Sequence, residues 1–257
     1  TILAQMAAEC LDCDVDHIVV FGADTDISPY DSGSYASSTT YVTGKAVEQA
    51  CEKLKNNLCD LALQTFHCEK EDVEFTSQGV KNLKTKELAL KAMCGNNIET
   101  QVTVTHSSPV SPPPYMVGMV EIELDKETGQ VDILDYVAVV DCGTVINTNL
   151  ARVQTEGGLV QGIGMALYED VQYTKRGAIP ENSFMQYKIP TRLDMGKIRV
   201  EFESSYEPTG PFDAKSIGEI VINTPSPAIA NAIYRATGKY LKDLPMTPEK
   251  ILMAIDE

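Results

Sequence analysis

A chain of 257 residues with 43% hydrophobic and 23% charged side chains is long enough to bury a large core and too apolar, too regularly patterned, for disorder. Lys and Arg number 21 against 37 Asp and Glu, and the net charge of −16 makes nucleic acid and anionic membranes poor partners. No apolar run reaches the roughly 18 residues of a membrane helix, and no basic-then-apolar start marks a signal peptide.

The chain opens at Thr1, without an initiator Met, directly in an apolar helical pattern, as in the interior of a longer polypeptide. Ile2, Leu3, Met6, Ala7 and Cys10 share one helical face, so the first dozen residues read as a helix. His17 to Phe21 reads as a short buried strand. Residues 22–40, rich in Asp, Ser, Thr and Gly, form a long loop of the kind that usually carries function. Helical spacing resumes from Val42 to Leu63. A short strand is expected around Val73 to Phe75, a helix around Thr85 to Ala92, and a further strand at Val102 and Val104.

Ser107 to Pro114 is a turn-rich break and the candidate internal boundary, at 107–114, within a domain of residues 1–257. Beyond it, strict alternation over Val120 to Leu124, a turn at Asp125 to Gly129 and renewed alternation from Val131 predict a β-hairpin whose return strand runs to Val140. Asn147 to Tyr168 contains a helix despite Gly157, Gly158, Gly162 and Gly164. Each Gly costs about 1 kcal/mol in a helix, so four of them imply close packing or close backbone approach. Ile198 to Phe202 alternates as a strand, and a second small-residue loop spans Ser205 to Thr224. Ser226-Pro227 reads as an N-cap with Pro at the first helical position, and Gly238 stops that helix. A last helix covers Pro248 to Ile255 with Thr247 as its cap. Helices and strands mix without a strict βαβ alternation, which indicates an α+β fold.

Seven Cys, an odd number in a chain too long to need disulfide staples, point to a reducing cytoplasm. Cys10 and Cys13 have CxxC spacing, but neither they nor Cys51, Cys59 and Cys68 with His67 match a tetrahedral zinc pattern. Other matches fail on single positions. A calcium loop starting at Asp24 has Pro29 at its glycine position and Tyr35 where a bidentate Glu belongs. Gly210 to Ser216 has the wrong spacing for a phosphate-binding loop, and Gly162-Ile-Gly164 lacks the third Gly of a dinucleotide fingerprint.

Two loops of small polar residues remain, with Gln154 and Gln161 on the glycine-rich helix and a carboxylate at Gly218-Glu219. Ile217 and Ile220 flank Glu219, and apolar flanks can desolvate a carboxylate toward general-base use. On spacing alone, an exposed structural Glu is the plainer reading.

Residues 207–238 (EPTGPFDAKSIGEIVINTPSPAIANAIYRATG) resemble the C-terminal signature of the molybdenum hydroxylases, the xanthine dehydrogenase and aldehyde oxidase family. Val137 to Asp170 is similar to that family's D-x-G-x-x-x-N-P, Q-x-E-G and QGIG segments, and Asp31 to Val47 to its cofactor loop. The motifs fall in order over nearly all of the chain, most weakly from about 53 to 98. Thr148 departs from the usual Pro, and Asp213 from a small or basic residue.

The resemblance implies the C-terminal portion of a molybdopterin-binding subunit, α+β and incomplete at its N-terminus. It matches Glu219 to the base beside molybdenum. Ala36, Ser37, Ser38 and Thr39 match the loop at the metal end of the pterin, Gln154 matches a pterin-binding Gln, and Thr1 falls on the cofactor's phosphate side. It implies no direct protein ligand to the metal. The expected cofactor is molybdopterin, as such or as its cytosine dinucleotide, with 2Fe-2S and FAD groups on partner chains or further segments. The expected partners are the rest of the molybdenum subunit and these iron–sulfur and flavin portions. The expected reaction is hydroxylation of a purine or related N-heterocycle with water as the oxygen source, the isolated fragment being inactive. An aldehyde- or carbon monoxide-oxidising relative and a non-catalytic cofactor-assembly module of the same fold are the alternatives.

Overall fold

A computed structural model of the chain describes residues 1–90 and 100–256. It divides into two compact units, one of residues 1–111 with 207–214, the other of residues 112–206 with 215–257.

In the first unit, α1 (Ile2–Cys10) packs against α2 (Gly44–Phe66), burying Ala4, Met6 and Ala8. The helices meet closely because Gly44 has no side chain: a Cβ there would lie 2.8 Å from Met6 Sδ. A single π-helical turn, Thr39–Thr43, leads into α2, and His67 in the left-handed region (φ 50°) ends it. Below α2 lies an antiparallel sheet of β1 (Val73–Thr76), β2 (Gly79–Asn82) and β3 (Leu88–Leu90), in that order. Leu58, Ala62 and Val80 form the centre of this small core.

Three expectations fail here. His17 to Phe21 is not a buried strand: a 3-10 turn at Val15–His17 is followed by irregular chain that joins no described sheet, and Val19 and Phe21 are each 74% exposed. The expected helix from Thr85 is replaced by a turn and β3. The Asn82 carboxamide oxygen accepts the N–H groups of Lys84 (2.9 Å) and Thr85 (3.0 Å), bending the chain so that Leu88–Leu90 pairs with β2. The rest of that expected helix, Lys91 and Ala92, falls outside the described residues. Val102 and Val104 are half-buried in alternation but belong to no ladder among the described residues.

The second unit is built on β4 (Tyr115–Leu124), β5 (Val131–Asp141) and β6 (Met195–Phe202). β4 and β5 form the expected hairpin, with the Asp125 carboxylate accepting the Glu127 N–H (2.8 Å) and Gly129 turning at φ 75°. β6 pairs with β5 in parallel, reached through a crossover containing α3 (Thr148–Leu167), a single βαβ unit within a chain that shows no strict βαβ alternation. Tyr136, Val140, Leu159, Ile163, Ile229 and Ile233 lie at the centre of this core.

The glycines of α3 answer to packing position by position. A Cβ on Gly158 would overlap the buried Val221 side chain, and one on Gly162 would sit 2.6 Å from Pro225 Cγ and 2.8 Å from the Ile222 carbonyl. At Gly157 nothing lies within 4 Å.

The helix expected to start at Ser226-Pro227 starts earlier. α4 runs Pro225–Thr237, with Thr224 at the cap position and Pro225 first. Thr224 makes no side-chain cap: its backbone is already helical (φ −85°, ψ −27°), and its hydroxyl accepts the Tyr136 O–H at 2.9 Å. Gly238 ends α4 in the left-handed region, and α5 (Pro248–Asp256) follows Thr247, whose hydroxyl accepts the Lys250 N–H at 3.4 Å.

The two adjacent glycines of α3 separate packing from propensity. Gly158→Ala is expected to lower unfolding stability by about 1–3 kcal/mol through overpacking. Gly157→Ala is expected to leave it unchanged or raise it by up to about 1 kcal/mol. Thermal unfolding of the two variants side by side checks this, and equal shifts would contradict it.

Candidate functional site

In the second unit, the end of β5 and the segment bearing Glu219 are tied together by one polar node. Asp141 closes β5, and its Oδ1 accepts the Gly143 N–H (2.9 Å) and the Ser205 hydroxyl (2.7 Å). Oδ2 pairs with Lys215 Nζ at 3.0 Å. The Lys215 side chain is only 7% exposed and that of Asp141 18%. The Lys215 backbone N–H donates to the Cys142 carbonyl at 2.7 Å, and its ammonium lies 5.5 Å from the centre of the Tyr115 ring.

Burial opposes the charge on Asp141. The Gly143 N–H, the Ser205 hydroxyl and the Lys215 ammonium outweigh it and hold the carboxyl below the usual carboxylate range. The neighbouring Cys142 thiol is pushed up to about 11 by burial and by the Asp141 charge, so it stays protonated at neutral pH.

From this node the chain runs two ways. Gly143 turns with φ 67°, and Asn147 caps α3 by accepting the Leu150 N–H at 3.0 Å. That helix presents Gln154 and Gln161 to solvent. In the other direction, Lys215 leads to Glu219 at the head of a 3-10 turn, Ile220–Ile222, which packs on α3. Gln154 and Glu219 therefore sit on elements in contact. The sequence expectation of apolar flanks desolvating Glu219 does not hold within the chain. Ile217 and Ile220 turn into the core and leave the carboxylate exposed.

In the first unit, Ala36 and Ser37 are consecutive non-glycine residues in the left-handed region, at φ 47° and 56°. Such conformations cost about 1–3 kcal/mol each and cluster at ligand clamps. The Ser38 hydroxyl donates to the Tyr35 carbonyl (2.7 Å) and the Thr39 hydroxyl to Ser34 Oγ (2.5 Å). Thr1 is exposed at the head of α1, which packs against the Thr39–Thr43 turn.

Cys10 pairs with Cys51 rather than with Cys13. Their thiols hydrogen-bond, which raises Cys10 and lowers Cys51. Among the described residues no group of three or more His, Cys, Asp or Glu is placed to hold a metal ion, and no helix is long and apolar enough to cross a membrane. A groove of about 780 Å³ opens along α3 in the second unit, lined by Glu156, Gly157, Val160, Gln161, Ile189 and Met195 among others. Sequence reasoning singled out Gln161 but missed the groove, since Ile189 and Met195 approach α3 from a distant stretch. It also missed Asp141 and Lys215 as a pair, although both stand inside quoted motifs.

Residues 1–196 match the molybdopterin cofactor-binding domain, and the chain belongs to that family. Its α+β architecture is shared with solved oxidoreductases, among them quinoline 2-oxidoreductase from Pseudomonas putida 86, which superposes with a TM-score of 0.84 at 26% identity over 100% of this chain and 35% of that one. The chain is 33% identical over 264 residues to the probable hypoxanthine oxidase XdhD of Escherichia coli K12, covering 100% of this chain and 28% of that protein. It is 30% identical over 265 residues to the putative xanthine dehydrogenase molybdenum-binding subunit XdhA of the same organism, covering 98% and 35%. The chain thus spans about a third of the length of these relatives, and the expected C-terminal placement finds no support in the matches.

The low-lying Asp141 carboxyl makes stability depend on pH in a defined direction. Its contribution is full above the ordinary carboxylate value of about 3.9 and is lost as pH falls through the lower folded value. Asp141→Asn is expected to cost about 2 kcal/mol at pH 7 and progressively less below about pH 4. Denaturant titrations of both proteins at pH 7 and pH 3 read the difference, and a gap undiminished at pH 3 would refute the assignment.

Proposed function

We propose that the chain is part of the molybdopterin-binding catalytic subunit of a molybdenum hydroxylase acting on a purine or related N-heterocycle, with Glu219 as the base. The observation carrying this reading is the placement of Glu219: an exposed residue between side chains packed on the core, at the head of an element in contact with the helix that bears Gln154. The substrate class draws support from the relatives, since hypoxanthine and quinoline, in whose names two of them share, are both N-heterocycles.

The residues fit the cofactor by the chemistry of their donors. Ala36 and Ser37 form a strained turn, Ser38 and Thr39, which donate their hydroxyl protons to Tyr35 and Ser34, keep hydroxyl oxygens as acceptors, and Gln154 offers an exposed amide whose donor and acceptor suit a pterin edge. Thr1 adds a further hydroxyl for the phosphate side. In a chain of net charge −16, neutral donors of this kind are the groups available for a phosphate. When bound, the cofactor would supply the oxidising centre for a hydroxylation whose oxygen comes from water. Glu219 would accept a proton at its carboxylate, and Gln154 and the Ala36–Thr39 turn would each supply contacts to the pterin. Groups of the 2Fe-2S and FAD kind on partner chains or further segments would take up the electrons, and the cofactor would be molybdopterin or its cytosine dinucleotide.

Glu219→Gln in the assembled enzyme is expected to lower kcat by about 10²–10⁴-fold while molybdenum and pterin remain bound. Turnover retained at the parental level would remove the base assignment. Gln154→Ala is expected to lower pterin content on extraction, and full retention would remove Gln154 from the cofactor's shell.

A further inference from the structure

We propose that Lys215 and Asp141 act together as the positioning pair for Glu219, fixing the carboxylate's place relative to α3. The inference rests on the base role proposed for Glu219.

Lys215 is one of three polar or charged residues buried among the described residues, and the one that carries charge. A buried ion pair gives little net stability over apolar residues of the same shape, because desolvating both charges offsets their attraction. Asp141 is nonetheless satisfied on both oxygens, by Gly143, Ser205 and Lys215. What the pair supplies is a fixed point. Side chain and backbone of Lys215 both attach to the end of β5, through Asp141 Oδ2 and the Cys142 carbonyl.

A second fixed point lies just beyond Glu219. Val221 is fully buried and seated where Gly158 leaves α3 without a side chain. Glu219 is thus strung between a polar anchor at Lys215 and a steric anchor at Val221, with Ile217 and Ile220 packed inward on either side. The same polar anchor holds Gly143, from which the chain proceeds to Asn147 and the start of α3. One ion pair therefore sets the origin of both the Glu219 segment and the helix of Gln154. A displacement of about 1 Å at a reacting group can cost about a hundredfold in rate, so an anchor of this kind bears on turnover without touching substrate.

The test uses the assembled holoenzyme with Lys215→Met, Lys215→Arg and the double variant Asp141→Asn/Lys215→Met. The double variant leaves no unpaired buried charge and keeps an amide for Gly143 and Ser205, so its Tm is expected to recover toward the parental value. Its kcat is expected to remain about tenfold to a hundredfold low with KM changed less than threefold and molybdenum content intact. Amide exchange over residues 216–222 is expected to be faster than in the parent, and Lys215→Arg is expected to restore part of kcat. Recovery of kcat together with Tm in the double variant would overturn the proposal and leave the pair a purely structural role. Unchanged exchange over 216–222 would overturn it as well. Should Glu219→Gln retain turnover while exchange over 216–222 still quickens in the double variant, the base reading fails and the tether stands.

Discussion

An ammonium withdrawn from water has to meet a carboxylate, and the second unit is arranged around the place where Lys215 meets Asp141. The requirement is severe, since a buried charge left unpaired costs more than most side chains contribute. It dictates where β5 may end, because Asp141 must stop level with Lys215. It also dictates a sharp turn at Gly143, whose N–H is the second donor to the same carboxylate. Ser205, arriving after β6, completes the set. Gly143 beside it and Ser205 and Lys215 more than sixty residues away converge on one carboxyl group, and the elements that leave from it carry the two side chains proposed to face the cofactor and the substrate.

The apolar half of the same design is the contact of α3 with the turn after Glu219. A helix carrying Gly158 and Gly162 presents bare backbone, and Val221, Ile222 and Pro225 come closer than any larger residue would allow. Propensity is surrendered for proximity at these positions. Gly157, on the open side of the same helix, shows no such contact, so only part of the glycine content follows from packing.

Local pattern was enough for the β4–β5 hairpin, α2, α3 and α4, because alternation of period two and apolar repeats of helical period are written within each element. It failed where the deciding partner lay elsewhere. The apolar run at His17 to Phe21 has the composition of a strand but no ladder to join among the described residues, and the Leu-Ala-Leu of β3 is drawn from an expected helix by pairing with β2. The start of α4 moved two residues earlier, to Pro225, and the Thr224 hydroxyl at its cap position accepts from Tyr136, 88 residues away. The Glu219 segment was legible by resemblance alone. Its anchor was not, since Asp141 and Lys215 are separated by 74 positions and no local rule links them.

The exposed run at Val19 to Phe21 has a colloidal consequence. Three adjacent exposed apolar side chains, outside any described sheet, make an adhesive strip. Opposing it is the mutual repulsion of chains that each carry a net charge of −16. The two influences differ in range: repulsion acts over the Debye length, about 10 Å at 0.1 M salt and about 3 Å at 1 M, whereas apolar adhesion acts only at contact. Dilute buffer therefore keeps copies of this chain apart, and concentrated salt strips that protection while leaving the adhesive strip as sticky as before.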